Sequence, residues 1–287
     1  MFRIFDGNVL FDGAMGTELQ RRGLPLGTPP ELWNLENSEI VEQIHKDYIN
    51  SGAMVIETNT FGGNRIRLKR FDLDKKIKVI NQKAVDIAQR ASKGKVLIAG
   101  SVGPLGELLE PFGDITIEEA KEVFEEQIEI LKSAGVDFIL IETMIYLEEA
   151  LCALESALKA NMKVGITMSF EITPSGIRTS FGDTIEKFIK SVENKEILFL
   201  GSNCGKGFEE MEKVAEEIRR KTNKKILIQP NAGIPKIVDG KPLYPGTPEE
   251  FGNFVVKMLK LGINYIGGCC GTTPEHIKKA REIIENF

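Results

Sequence analysis

The sequence predicts an α/β fold, a single (β/α)8 barrel (TIM barrel), on three observations. Short apolar runs rich in Val, Ile and Leu recur eight times, a segment of helical periodicity follows each run, and the chain has 287 residues. Near-continuous apolar runs are typical of parallel strands that are buried on both faces. The length falls within the usual range for one such barrel. An open, doubly wound sheet is the main alternative, and the count of eight units favours the closed barrel.

The predicted strands and helices are spaced along the whole chain. The strands cover residues 8–12, 53–58, 96–101, 137–142, 163–169, 197–203, 226–231 and 263–269. Between them lie helix-start signals. Thr116 and Asp183 each precede a glutamate by three positions, as in a capping box, and Thr247 precedes a proline that suits a first helical turn. No second composition zone interrupts this pattern, so we expect one domain over residues 1–287.

Composition and charge argue against several classes of partner. The formal net charge is −5, and the lysines and glutamates are spread rather than clustered, which argues against a nucleic acid or an anionic membrane. No apolar stretch approaches the roughly 18 residues that span a bilayer, and the amino terminus lacks the features of a signal peptide. Four cysteines in so long a chain do not resemble a secreted disulfide framework. We therefore expect a cytoplasmic protein.

In a barrel of this kind the active site lies at the carboxyl ends of the strands. Polar residues and thiols gather at the predicted strand ends, where packing alone does not explain them. They are Asp12, Glu57, Thr58, Asn59, Ser101, Glu142, Ser169, Asn203, Cys204, Asn231, Cys269 and Cys270. We predict the functional site at this rim.

Three of the four cysteines follow the sixth and eighth predicted strands. Cys204 lies in GSNCG, and Cys269 and Cys270 lie in GGCCGTTPEHI. Only the seventh strand separates the sixth strand from the eighth, so the ends of these two strands can approach one another across the rim. Adjacent residues of a regular strand point to opposite faces, so the two adjacent thiols meet only if the backbone leaves strand geometry. That departure is permitted by the surrounding glycines, Gly267, Gly268 and Gly271.

Three thiolates at one rim suit Zn2+, which prefers sulfur and nitrogen ligands in a tetrahedron. Three protein ligands leave a fourth position open, as in a catalytic zinc site. The spacing is not that of a zinc finger, so two other interpretations remain. The cysteines could be packed as small apolar groups, or Cys269 and Cys270 could form a strained vicinal disulfide. Cys152 is predicted to be a packed helix residue, and His45 and His276 are predicted to be solvated helix residues rather than ligands.

The two cysteine motifs together resemble those of the homocysteine S-methyltransferase family. FDGAMGTELQRRG (11–23), ETNTFGGN (57–64), SVGPLG (101–106), IET (141–143) and QPNAG (229–233) are also similar to motifs of that family, in order. The resemblance therefore covers nearly the whole chain. Among the members, the run of motifs is most similar to the homocysteine-binding domain of cobalamin-dependent methionine synthase.

The resemblance implies a zinc-dependent enzyme that methylates L-homocysteine to L-methionine. The family's zinc ligands match Cys204, Cys269 and Cys270, which would be the catalytic residues, and the homocysteine sulfur takes the open position. Coordination to zinc deprotonates a thiol at neutral pH, and the bound thiolate is the nucleophile. Asn203 and Asn231 are expected to order the cysteine loops by hydrogen bonding.

The amino-acid end of homocysteine needs partners for its ammonium and its carboxylate. Asp12 and Glu142 match family positions that contact the ammonium, although a rim carboxylate often only caps the following helix. Thr58, Ser101 and backbone amides of the glycine-rich loops are candidates for the substrate carboxylate.

The methyl donor is the least determined part of the prediction. The chain has no Asp-x-His-x-x-Gly cobalamin motif and no second domain for folate. The resemblance to methionine synthase therefore implies an excised domain or a separate subunit, with methylcobalamin held on another module and charged from methyltetrahydrofolate. A complete enzyme would use S-methylmethionine, S-adenosylmethionine or betaine.

Two other interpretations assign the chain to a different class of protein. A barrel with a structural zinc that binds a partner module would need a fourth protein ligand, and the rim offers no convincing one. An aldolase-type barrel would need a lysine at a strand end and would leave the cysteines unexplained.

Overall fold

The computed structural model describes residues 6–238 and 241–287. Eight parallel strands form one sheet, and each overlaps one of the eight predicted runs. The strands are β1 (Val9–Leu10), β2 (Val55–Glu57), β3 (Leu97–Val102), β4 (Phe138–Met144), β5 (Val164–Met168), β6 (Phe199–Cys204), β7 (Ile226–Pro230) and β8 (Tyr265–Ile266). The predicted (β/α)8 barrel is confirmed.

The sheet curls until its two edge strands meet. From β2 to β8 every strand pairs in parallel with the next, and β8 pairs with β1. Between β1 and β2 the amide of Met54 donates to the carbonyl of Leu10 at 2.7 Å, and the amide of Asp12 donates to the carbonyl of Val55 at 3.0 Å. These bonds close the barrel and bring the carboxyl ends of all eight strands to one rim.

Helices surround the barrel on the outside. Within the described residues none is long and apolar enough to cross a membrane. They are α1 (Met15–Arg21), α2 (Trp33–Glu36), α3 (Ser38–Asn50), α4 (Arg65–Lys69), α5 (Ile77–Ser92), α6 (Ile117–Ala134), α7 (Leu147–Lys159), α8 (Ile185–Val192), α9 (Phe208–Lys221), α10 (Pro248–Lys260) and α11 (Pro274–Asn286), with 3-10 turns at Pro30–Leu32 and Asp74–Lys76. Two hairpins pair Glu171–Thr173 with Gly176–Arg178 and Lys236–Val238 with Lys241–Leu243.

Two of the three predicted helix-start signals are confirmed. Thr116 accepts a hydrogen bond from the amide three positions on, and Thr247 forms a full capping box. The signal at Asp183 is wrong by one residue, because Thr184 caps α8. Asp183 instead lies buried and accepts from the amide of Leu147 at 2.9 Å, which ties the start of α8 to the start of α7.

Aromatic side chains fill the barrel below the rim. The Phe199 ring makes edge-to-face contacts with Phe11, Phe138 and Tyr265 at centroid separations of 5.7 to 6.1 Å. A β-carbon on Gly165 would lie 2.1 Å from the Phe199 ring, so only glycine leaves room for it on β5. These rings occupy the interior of the barrel, and a cavity opens above them at the carboxyl ends of the strands.

The structure places the remaining cysteine and the two histidines in buried positions. Cys152 packs inside α7 at 3% exposure, as predicted. The prediction of solvated histidines is wrong, since His45 is fully buried and His276 is 4% exposed. His276 completes the capping box of Thr273 at the start of α11. Burial lowers the pKa of His45 to about 4, and neither of its ring nitrogens has a hydrogen-bond partner among the described residues.

Candidate active site

A cavity of about 520 Å3 opens at the carboxyl ends of the strands. Its wall combines residues from the ends of six strands or from the loops that follow them. Of the residues to which the sequence assigned a role, those that line it are Thr58, Ser101, Glu142, Cys204, Cys269 and Cys270, and the rim residues Glu57 and Asn59 line it as well. The others lie just behind this wall and contact it through hydrogen bonds: Asp12, Asn203 and Asn231. The structure thus gathers at one rim the residues that the sequence distributes over its whole length.

The three rim cysteines come together from two loops. Cys204 is the last residue of β6, and Cys269 and Cys270 follow β8, which ends at Ile266. The Cys204 thiol makes hydrogen-bonding contacts with both other thiols. The expected break in strand geometry is present at Cys269 and Cys270, which lie outside the strand and are followed by Gly271 with φ 84°. Cys204 also has a left-handed backbone, with φ 72°, which the sequence did not predict.

The two glycines before the cysteine pair serve a different purpose from the one predicted. Neither Gly267 nor Gly268 has a positive φ. A β-carbon on Gly267 would lie 2.7 Å from the Phe11 β-carbon, and one on Gly268 would lie 2.2 Å from the Thr272 hydroxyl. Glycine is needed at these two positions for close packing of the loop against β1 and α11, and only Gly271 is needed for its backbone angles.

Hydrogen bonds among the three thiols shift their pKa values in opposite directions. Hydrogen bonds from Cys269 and Cys270 lower the pKa of Cys204 to about 3. The same contacts raise the pKa of Cys269 well above its usual range and that of Cys270 to about 11. Asn231 also donates to the Cys204 sulfur at 3.4 Å, and the Tyr244 side chain hydrogen-bonds Cys270. The arrangement stabilises the Cys204 sulfur in its anionic form, which is the form that binds metals and attacks electrophiles.

These thiols are suited to hold a metal by their chemistry, although their present arrangement is not a formed site. Among the described residues, no group of three or more His, Cys, Asp or Glu side chains has the arrangement of a metal centre. Thiolates bound to one tetrahedral zinc at about 2.3 Å lie about 3.8 Å from one another, a separation comparable with that of hydrogen-bonded thiols. The zinc site therefore stays a prediction that the thiol cluster fits.

Two carboxyl groups, those of Glu57 and Glu142, form the wall beside the thiols, and the carboxyl group of Asp12 lies directly behind them. The amide of Glu57 donates to Asp12 Oδ2 at 3.0 Å, and Gln229 donates to Glu57 Oε1 at 2.7 Å. The Ser101 hydroxyl donates to Glu142, which also hydrogen-bonds Glu57. Asp12 and Glu142 are 2% and 8% exposed, and Glu57 is half-buried.

Burial raises the pKa of each of these carboxyl groups. The pKa of Glu142 rises to about 6, and those of Asp12 and Glu57 rise well above their usual range, with mutual repulsion adding to the effect. Asp12 Oδ1 is buried and has no hydrogen-bond partner among the described residues. Such a group is stabilised by a cation that both donates hydrogen bonds and supplies positive charge, as a substrate ammonium does.

Asn203 links the carboxyl groups to the cysteines. Its Oδ1 accepts from the Thr143 amide and the Thr167 hydroxyl, both at 2.7 Å. Its Nδ2 donates to the Thr143 hydroxyl at 2.6 Å and to Glu142 at 3.4 Å, and lies 3.8 Å from the Cys269 sulfur. Thr143 has a left-handed backbone with φ 59°, so these bonds hold a strained residue next to Glu142.

Thr58 and Ser101, the two predicted partners of a substrate carboxylate, lie at the cavity wall, where each already makes hydrogen bonds within the protein. The Thr58 hydroxyl is 2.6 Å from the Thr60 hydroxyl and accepts from the Ser101 amide at 3.2 Å.

Four residues of the site received no role from the sequence, namely Glu57, Thr143, Gln229 and Tyr244. Glu57 carried the clearest signal, a charged side chain at a predicted strand end, whereas Tyr244 lies in a long loop where no periodic pattern exists.

Solved structures with the same fold include a homocysteine methyltransferase, MmuM, from Escherichia coli. In its metallated form it superposes with a TM-score of 0.80 over 96% of both chains at 23% identity. In its oxidized form the TM-score is 0.78, at 25% identity over 96% of this chain and 95% of the other. These superpositions show that the chain has the same barrel fold as this enzyme.

Curated relatives include the methionine synthases of Mycobacterium tuberculosis (strain ATCC 25618 / H37Rv) and Mycobacterium leprae (strain TN). Each is 30% identical, over 292 and 289 residues respectively, which is 96% and 95% of this chain. The chain spans only 24% of the length of either relative. The family model for homocysteine S-methyltransferases matches residues 9–284. The chain therefore belongs to the homocysteine S-methyltransferase family.

Proposed function

We propose that this chain transfers a methyl group to the thiolate of L-homocysteine, giving L-methionine, with one zinc ion held by Cys204, Cys269 and Cys270. The observation that carries the proposal is the meeting of these three thiols at a cavity beside the carboxyl groups of Asp12, Glu57 and Glu142. Membership of the family supports it, as does the existence of a metallated form of the E. coli relative.

The residues around the thiols would prepare the zinc site. When bound, zinc would supply a Lewis acid that keeps the homocysteine sulfur deprotonated at neutral pH. Asn231 donates to the Cys204 sulfur and to the Gly205 carbonyl at 2.7 Å, which fixes the loop after β6. Asn203 and Tyr244 orient the other two cysteines through the contacts described above.

The amino-acid end of homocysteine would bind beside the thiols. Asp12 and Glu142 would accept hydrogen bonds from its ammonium, and the unpartnered Asp12 Oδ1 supplies the acceptor that this requires. Thr58, Ser101 and amides of the glycine-rich loops would bind its carboxylate. The sulfur then forms its bond to the methyl carbon while the bond from that carbon to the donor breaks, and the donor keeps the electron pair.

The resemblance of the motifs to cobalamin-dependent methionine synthase supports methylcobalamin as the donor. The chain corresponds to about a quarter of each methionine synthase. We therefore propose that it is the homocysteine-binding barrel, residues 1–287, of a larger methionine synthase or one subunit of such an enzyme. A cobalamin module would deliver the methyl group, and a folate module would recharge it from methyltetrahydrofolate.

A second candidate is a stand-alone methyltransferase that uses S-methylmethionine, S-adenosylmethionine or betaine. The observation that favours it is the size of the cavity, which exceeds what homocysteine needs. A structural-zinc barrel is less well supported, because the three cysteines are only partly buried and line an open cavity, whereas structural zinc sites are closed.

Zinc content and zinc-edge X-ray absorption, measured before and after adding homocysteine, test the proposal. We expect three sulfur ligands and one light atom to become four sulfurs when the substrate binds. Cys204→Ser should lose most zinc and methyl transfer while the barrel still folds, whereas the matched control Cys152→Ala should retain both. The absence of zinc from a reduced, metal-supplemented sample, or four sulfurs unchanged by homocysteine, would overturn the mechanism.

A further inference from the structure

Glu57 lies between two other carboxyl groups at the cavity, and neither the sequence nor the proposed function gives it a role. It is the last residue of β2 and lines the cavity. Its amide donates to Asp12 Oδ2 at 3.0 Å, and its side chain hydrogen-bonds the side chain of Glu142. The uncharged Gln229 donates to Glu57 Oε1 at 2.7 Å. The strongest electrostatic interactions of Glu57 are therefore both repulsive, with Glu142 and with Asp12.

The hydrogen bond between Glu57 and Glu142 requires a proton on one of the two carboxyl groups. An ionised carboxylate is only an acceptor, so two ionised groups in contact would repel each other without forming a bond. A pair of carboxyl groups that share one site therefore keeps one proton between them. Glu57 and Glu142 form such a pair.

The donors around the pair indicate which carboxyl group is ionised. Glu142 accepts from the Ser101 hydroxyl and from Asn203 Nδ2, and hydrogen bonds to an ionised group stabilise it. The Glu57 side chain receives a single amide donor, and it faces the repulsion of two carboxyl groups. Burial and this repulsion raise the pKa of Glu57 well above its usual range, whereas the pKa of Glu142 rises only to about 6. The proton is therefore held by Glu57.

We propose that Glu57 is a positioning residue that stays protonated at neutral pH and donates a hydrogen bond to Glu142. It orients the Glu142 carboxylate towards the ammonium group of homocysteine and removes one negative charge from the site. Gln229 occupies Glu57 Oε1, which leaves Oε2 to carry the proton. The assignment rests on the proposed binding of homocysteine: the substrate ammonium meets Asp12 and Glu142 rather than three carboxylates.

Infrared spectroscopy of the zinc-free protein at pH 8 tests where the proton lies. A protonated carboxyl group has a carbonyl stretch that an ionised carboxylate lacks, and this band shifts in D2O. We expect Glu57→Gln to lose such a band relative to the wild-type protein. Glu149→Gln is the matched control, because Glu149 is also buried but has a pKa of about 7, so at pH 8 it is mostly ionised and its replacement should leave the band in place. Identical spectra of the wild-type protein and Glu57→Gln in this region would overturn the proposal.

Calorimetric binding of homocysteine to the zinc-loaded protein tests what the proton does. Glu57→Leu removes a hydrogen bond to a charged group, so the Kd for homocysteine should rise by about 10- to 100-fold. Glu57→Gln should restore most of this affinity, because its amide can donate to Glu142 and still accept from Gln229. If Glu57 instead met the ammonium as a carboxylate, both variants would lose its charge. Equal losses of affinity in the two variants would therefore overturn the proposal.

The two measurements separate this proposal from the proposed function. The infrared band is recorded without substrate, zinc or methyl donor, so it locates the proton even in a protein that does not methylate homocysteine. A protein that binds homocysteine but lacks the Glu57 band would overturn the role of Glu57 and leave the proposed function standing. A protein that shows the band but binds no homocysteine would overturn the proposed function, while the proton on Glu57 would stand.

Discussion

Replacing Asn203 by alanine tests how the rim is held together. The side chain is 1% exposed and joins the end of β6 to the ends of β4 and β5. Alanine would leave the Thr167 hydroxyl and the Thr143 amide without their acceptor. It would also release the left-handed backbone of Thr143, which positions Glu142.

The expected loss of unfolding free energy follows from the two abandoned donors. The Thr167 hydroxyl is fully buried, so an unmade bond there costs about 1–3 kcal/mol. Thr143 lines the cavity, where water replaces part of the lost bond, so its amide contributes about 0.5–1.5 kcal/mol. We expect Asn203→Ala to lower the free energy of unfolding by about 2–4 kcal/mol and to raise the KM for homocysteine.

Urea unfolding of the zinc-free protein measures this loss as a shift of the midpoint at unchanged slope. Asn264→Ala is the matched control. Its side chain donates one bond, to Asn8 at 2.6 Å, at the opposite end of the barrel, so it should lose no more than about 1.5 kcal/mol. If the two variants unfold at the same urea concentration, the rim is not held by Asn203 and the reasoning is refuted.

Two further predictions concern the barrel itself. His45→Leu should remove a pH dependence of the free energy of unfolding. The pKa of His45 falls from 6.5 to about 4 on folding. The stability of the wild-type protein is therefore complete with respect to His45 above pH 6.5, and it falls by at most about 3 kcal/mol as the pH decreases towards 4. Unfolding midpoints of both proteins at pH 7.5 and 4.5 check this, and equal shifts would contradict it. Gly201→Ala places a β-carbon 1.8 Å from the Leu227 carbonyl oxygen, so β6 and β7 must separate. A thermal midpoint unchanged from wild type would show that the strands tolerate the methyl group.

Strand positions could be predicted because the apolar runs reflect burial on both faces. All eight runs overlap strands, but the lengths differ most where the barrel closes, and β8 covers only Tyr265–Ile266 of the predicted 263–269. There the backbone turns early so that the loop of Cys269 and Cys270 can reach β6. The histidines could not be placed, because a polar residue within a helix gives no sign of which face it occupies until the neighbouring helices are known.

Of the residues of the site, only those at the ends of strands could be predicted from the sequence. Cys204 and Glu142 were found by this rule, and they belong to one cavity. Tyr244 and the cavity-lining Arg67 could not be found by it, since they lie in segments that follow the strands by several residues. The loop path that brings them to the cavity depends on tertiary packing, and no spacing within the sequence specifies it.

Three buried acceptor atoms at the rim have no hydrogen-bond partner among the described residues, namely Asp12 Oδ1, Gln229 Oε1 and Asn231 Oδ1. The other unpartnered buried side-chain atoms belong to His45, Gln127 and Ser202, which do not line the cavity. Each such acceptor costs folding free energy that the rest of the barrel must supply. Buried acceptors without hydrogen bonds are expected at functional sites, where a ligand makes the missing bonds. All three are acceptors, so the molecule or ion that completes them must supply positive charge or hydrogen-bond donors, as an ammonium group or a metal cation does.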